Sequence, residues 1–164
     1  MTEPGTIRLE LTSSTKCLPV VRGAVERMAA LEGFDGNDTH ELTLAIDEAL
    51  ANVIKHGYEN RDDQPIELTL ATVRSSRGSP GLSIVVRDYG RQVDPSTIQG
   101  RDLNEVRPGG LGVHIIQTVM DEVEYSCPSG GGMQLRMVKF VEPREPSPAT
   151  QPSPPPVGGA GHGS

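Results

Sequence analysis

The run from Glu41 to Gly57 constrains the fold more than any other part of the chain. Leu42, Ile46, Ala49, Leu50 and Val53 recur at the spacing of one helical stripe. A helix with one apolar face is stable only where another layer covers that face, so the run demands a packed partner such as a sheet. Glu48 and Asn52, four residues apart, project from one side of this helix. A carboxylate can take up a proton, and a neutral amide oxygen can help hold a hard divalent cation. That pairing suits phosphoryl transfer or hydrolysis.

The rest of the chain supplies the covering layer. Ile7–Leu11 alternates apolar and polar residues, as a half-buried strand does. Pro19 opens a helix expected to run to about Leu31, and Gly33 and Gly36 mark the turn after it. Asp38-Thr-His-Glu41 has the capping-box pattern at the start of the next helix, and Gly57 is its expected end. Pro65 leads into a strand over 66–73. A Ser/Gly/Pro-rich turn then precedes a second strand, 82–87, whose apolar Ile84, Val85 and Val86 suggest a central position. The segment 89–110 is long and polar, a length that within a compact domain usually serves function. Leu111–Met120 returns to helical periodicity, and 123–127 with 133–141 reads as a closing hairpin. The order β-α-α-β-β-loop-α-β-β predicts an α+β, two-layer sandwich: one mixed, mostly antiparallel sheet with helices on one face. Residues 1–141 form the expected domain. Residues 142–164 read as a disordered Pro/Gly/Ser-rich tail, which holds half of the 14 prolines. Within it, Pro154–Pro156 reads as solvated chain before it reads as a ligand for a proline-recognition domain.

Charge and composition narrow the classes of partner. A net charge of −7 and a pI near 5.1 argue against direct nucleic-acid binding through a basic patch. With no Trp and 3% aromatics, the core must be aliphatic, and base-stacking platforms are not expected. Cys17 and Cys127 lack any metal-site spacing. They are expected to be small buried apolar residues in a reducing compartment. No membrane span or leader is legible, and the expected location is cytoplasmic.

Two glycine-bearing segments follow the Glu48–Asn52 helix. Asp88 follows the second strand, with Gly90 beyond it. It could cap a turn, or accept a hydrogen bond from an exocyclic amine such as that of adenine. Gly109-Gly-Leu-Gly112 opens a helix. Such glycines can simply cap, or they can let backbone N–H groups approach phosphates. A mid-helix Asn such as Asn52 has poor propensity and needs a reason.

Together these segments resemble the anti-sigma-factor serine/threonine-protein kinases of the histidine-kinase-like ATPase superfamily. The likeness covers about residues 7–140. Glu48-Ala-Leu-Ala-Asn52-Val-Ile-Lys-His56-Gly-Tyr58 is similar to that family's asparagine box. Asp88-x-Gly90 with Asp94-Pro95 is similar to its adenine box, although Gln92 and Val93 stand where the family usually has a glycine or proline and an aromatic. Gly109-Gly-Leu-Gly112, with Met120–Tyr125 after it, is similar to its phosphate box and closing strand.

The resemblance implies the histidine-kinase-like ATPase fold, with ATP and Mg²⁺ as cofactors. It implies Glu48 as general base, Asn52 as the Mg²⁺ ligand and Asp88 on the adenine amine. Gly90 would line the base pocket, and Gly109, Gly110, Leu111 and Gly112 would lie at the phosphates. Segment 94–108 would be a short lid, with Arg107, ranked above Arg101, reaching the γ-phosphate. His56 would support the site or simply pack at the helix end. The implied activity is phosphorylation of an anti-anti-sigma antagonist by a protein that also sequesters a sigma factor, as a homodimer. A non-catalytic ATP-binding module acting by protein–protein binding is the alternative, with a detached histidine-kinase ATP domain ranked behind it.

Overall fold

The computed structural model describes residues 5–98 and 110–142. Strand β1 spans Thr6–Thr12, β2 Pro65–Arg74, β3 Pro80–Asp88, β4 Glu122–Ser126 and β5 Gln134–Phe140. Helix α1 spans Leu18–Glu32, α2 Gly36–Asn52 and α3 Leu111–Val119. The expected order of elements is thus met. The supposed tail lies outside the described residues apart from Glu142, as does most of the supposed lid.

Three local expectations are corrected. The cap of α2 is Asp35, whose side chain accepts from the N–H of Asp38 at 2.9 Å. An aspartate three residues earlier therefore captures the helix start, and Asp38 becomes part of the first turn. The helical run does end at Gly57, as expected, but Val53 is not part of its buried stripe. After Asn52 the chain widens into a π-type turn over Val53–Gly57, so Val53 sits at the edge of the core and Ala45 takes a buried place instead. Neither cysteine is fully buried, and both are free thiols.

The sheet order is β1-β2-β3-β5-β4, which puts β3 at the centre as its apolar run suggested. Every neighbouring pair is antiparallel, so the expected mixed sheet is corrected as well. The reason is topological. The crossover through α3 makes β4 run in the same direction as β3, but the hairpin partner β5 inserts between them. A parallel relation survives in direction without any parallel pair, as in split βαβ arrangements.

The helices cover one face of this sheet. Val21, Val25, Met28 and Ala29 of α1 and Leu42, Ala45, Ile46, Ala49 and Leu50 of α2 are buried. They meet Leu68, Leu70, Leu82, Ile84, Val86, Leu135 and Met137, which alternate along their strands toward the helices. The core is aliphatic apart from Phe34 and Tyr58.

A buried lysine bolts the layers together. Lys139 of β5 reaches Glu41 at 2.7 Å and Asp38 at 3.5 Å, and donates to the Val119 carbonyl at 3.0 Å. Burial alone would lower its pKa, but Glu41, Asp38 and Asp121 outweigh burial and hold it above the usual lysine value. One ammonium thus ties the start of α2 and the end of α3 to the sheet. Lys139→Met would strand two carboxylates and a carbonyl. A loss of about 2 kcal/mol is expected in urea denaturation, below the cost of a fully buried pair because Glu41 can rehydrate.

Candidate functional site

The two layers part at one end, and a cavity of about 310 Å³ opens between α2, α3 and the ends of β3 and β5. Asn52, Asp88, Gly110 and His56 all line it, with Val86, Leu135 and Met133 on the sheet side. Its volume sits at the lower end of the range for small-molecule pockets, roughly 300–1,000 Å³.

Asp88 is the buried charge of the cavity, 4% exposed. Its Oδ1 accepts the Gly90 N–H at 2.9 Å and the Met133 N–H at 3.3 Å. Among the described residues no protein group bonds to Oδ2. Burial pushes the carboxyl pKa up, against the opposing pull of the two N–H groups and Arg87. Asp88 is therefore a fixed acceptor facing a largely apolar chamber.

Several residues hold that acceptor in place. The Tyr58 hydroxyl, on a side chain 1% exposed, donates to the Pro65 carbonyl at 2.5 Å and accepts the Tyr89 N–H at 2.7 Å. It pins the turn after α2 to the start of β2 and the end of β3. Arg87 points to the other side of the sheet, 4.5 Å over the Tyr89 ring. Its guanidinium donates to the carbonyls of Asp88, Gly131 and Met133, fixing the turn that presents the Met133 N–H.

Gly90 presses on the backbone of Gly57. A methyl group there would collide with the Gly57 carbonyl oxygen and stand 2.7 Å from its carbon. The missing side chain thus answers to backbone contact, and the Arg91 N–H seals the joint by donating to the same carbonyl at 3.2 Å.

At the other end, α3 begins at Gly110, whose φ of 85° is the left-handed conformation glycine adopts most cheaply. Free N–H groups of the first turn point out of this helix end and favour negative charge. Gly112 in that turn lies directly against α2. A methyl group on it would collide with Glu48 Oε2 and stand 3.5 Å from Asn52 Nδ2. The adjacent carboxylate, Asp47, turns away and is held by Arg22 of α1 at 2.7 Å. Glu48 is thus the carboxylate of α2 that meets the glycine turn.

The structure brings Glu48, Asn52, Asp88, Gly110 and Gly112 to one end of the sandwich. Leu111 is 53% exposed at the mouth, and Gly90 lies behind the cavity wall. Arg101, Arg107 and Gly109 lie outside the described residues. Sequence reasoning gave no role to Tyr58, Arg87, Met133 or Tyr125. Its one available signal was that all three tyrosines of an aromatic-poor chain fall at motif edges.

The model of the histidine kinase-like ATPase domain family matches residues 11–139. Serine-protein kinase RsbW of Halalkalibacterium halodurans is 27% identical over 148 residues, covering 85% of this chain and 86% of that protein. The Bacillus pumilus protein of the same name is 27% identical over 143 residues, with 82% and 85% covered. Among solved structures, the SiaB–SiaC complex from Pseudomonas aeruginosa matches with a TM-score of 0.57 at 12% identity, covering 82% of this chain and 88% of that one. The RsbU and RsbW domains of a Mycobacterium tuberculosis protein match with a TM-score of 0.55 at 17% identity, covering 84% of this chain and 33% of that one. At these identities the structural matches speak to the fold alone.

The glycine joint has a direct test. Gly90→Ala is expected to destabilise by about 1–3 kcal/mol, because backbone cannot yield to the added methyl. Gly57→Ala, whose methyl would stand 3.7 Å from Asp88 Oδ1, is expected to cost less than about 1 kcal/mol. Urea unfolding of the two variants separates these expectations.

Proposed function

Starting from the fact that the chain belongs to the histidine kinase-like ATPase domain family, we propose that it is an ATP-dependent protein serine kinase. Its substrate is a small anti-anti-sigma antagonist, and in its other state it sequesters a sigma factor. The observation that carries this reading is the meeting of Glu48, Asn52 and the Gly110–Gly112 helix start at the mouth of the Asp88 cavity. The two curated relatives, covered over most of their length and named serine-protein kinases, support the reaction class. The antagonist and sigma factor, action in the cytoplasm and a homodimeric state are carried by the family resemblance. Among the described residues no helix is long and apolar enough to cross a membrane.

The chemistry follows from the placement of groups. Asp88 accepts the adenine amine, and the apolar walls cover the base. The helix start at Gly110–Gly112 receives the phosphates, and the family resemblance assigns Arg107 to the γ-phosphate. Bound Mg²⁺ neutralises phosphate charge. The Asn52 side-chain oxygen suits it as a single protein ligand, since Mg²⁺ keeps waters and prefers phosphate oxygens. Glu48 accepts the proton of the substrate serine hydroxyl. The serine oxygen bonds to the γ-phosphorus as the bond to the β–γ bridging oxygen breaks, and ADP leaves.

Asn52→Ala is expected to lose Mg-ATP binding, while Glu48→Gln is expected to bind and to lose transfer by at least about 100-fold. Calorimetry and labelled-phosphate transfer to a cognate antagonist separate the two roles. Binding without transfer to any antagonist, wild type included, would favour a non-catalytic module. The pH dependence follows from Asp88. Its ionised form accepts the amine in a stronger, charge-assisted bond, and its pKa lies above the ordinary aspartate value. Affinity for adenosine, which has no phosphate to titrate, should therefore fall as pH drops, starting above the range expected for a free aspartate near 3.9. The fall should be absent in Asp88→Asn, read by calorimetry across the acid range.

A further inference from the structure

One polar group in the cavity wall has no partner among the described residues. Tyr125 lies on β4, the edge strand, and is paired with Leu135 of β5, which is paired in turn with Val86 of β3. Antiparallel partners point to the same face, so these three side chains form one row across the sheet on its helix-covered side. All three line the cavity. Asp88 and Met133 are the next residues on that face along β3 and β5, so Tyr125 stands one row along and two strands across from Asp88, on the same face of the sheet.

The Tyr125 hydroxyl is buried and accepts or donates no hydrogen bond among the described residues. It is the sole buried side-chain polar atom in that condition among them. Burial pushes its pKa to about 12, so at neutral pH it is an intact O–H with a proton to give. A phenylalanine would fill the same space without desolvating a hydroxyl. An orphaned hydroxyl in the wall of a cavity, beside Leu135 and Val86 and with Asp88 and Asn52 elsewhere in the lining, calls for a ligand to complete it. Asp88 and Tyr125 also differ in kind. One only accepts, and the other can donate, which matches the edge of a purine that carries an amine donor and ring-nitrogen acceptors.

The geometry points to Tyr125 as a second base-reading residue: its hydroxyl donates a hydrogen bond to a ring nitrogen of the adenine, directly or through one water, opposite the Asp88 contact. This rests on the ATP reading above and extends it to a residue of the closing strand to which the resemblance assigned no role. The contact would fix the base from the edge strand as well as from the centre of the sheet. It would also favour a purine over a pyrimidine too small to span the two groups.

Tyr125→Phe keeps the ring and removes the donor. Its affinity for ATP by calorimetry is expected to fall about 5- to 30-fold, the loss typical of one buried hydrogen bond. Its thermal midpoint without nucleotide is expected to hold or rise. The penalty should vanish with one of 1-deaza-, 3-deaza- or 7-deaza-ATP, the analogue lacking the nitrogen that the hydroxyl meets. Wild-type affinity in Tyr125→Phe would overturn the contact, as would an equal penalty with ATP and all three analogues, which would mark a packing role. If the wild type binds no ATP, the nucleotide reading fails first and takes this contact with it. If the wild type binds and only the Tyr125 results fail, the nucleotide reading stands alone.

Discussion

The contact between Gly57 and Gly90 is the joint on which the site depends. It brings the backbone after α2 against the backbone after β3, closer than any side chain would permit. Asn52 and Glu48 belong to the first of these elements and Asp88 to the second. Their separation is therefore set by the missing side chain at Gly90, which lets its backbone rest on the Gly57 carbonyl, and by the Tyr58 hydroxyl that stitches the same junction. Loops on a rigid scaffold commonly carry function. Here Glu48, Asn52 and Asp88 sit at element ends instead.

From that joint the division of labour across the cavity follows. The sheet end offers one fixed acceptor at Asp88 and, among the described residues, one unpartnered hydroxyl at Tyr125, the pair proposed to read the base. The α2–α3 end is where Glu48 and Asn52 meet a helix start, and there charge can be matched by charge. A low-dielectric chamber strengthens each of these polar contacts once a ligand excludes water. Lys139 plays the complementary structural part at the far end of α2, so the helix is fixed to the sheet at both of its termini.

The fold was largely legible because its signals are periodic. The α2 stripe, the apolar run of β3 and the closing hairpin each repeat at the period of their element. The Asn box on a helix and the glycine turn before α3 were legible because order and spacing survive in sequence. What escaped has no period. Asp35 and Asp38 are both good caps, and only the chain entering α2 decides between them. Gly57 reads as a helix terminator, while its role is to accept the backbone of Gly90, a contact between distant segments that neither residue announces. The mixed-sheet expectation failed because a crossover strand and its hairpin partner compete for the place beside β3. Pairing, which sequence order does not state, gives it to β5. Tyr125 escaped because a buried hydroxyl without a partner exists only once the walls are built.

The cavity is proposed to be an adenine site organised by Asp88. Calorimetric titration of the wild-type protein with Mg-ATP and with Mg-ITP tests it most directly, since inosine replaces the exocyclic amine by a carbonyl and leaves the phosphates unchanged. A buried acceptor facing a carbonyl would be repelled, so the account expects ATP to bind at least about 100-fold more tightly than ITP. Equal affinity for the two nucleotides would contradict it.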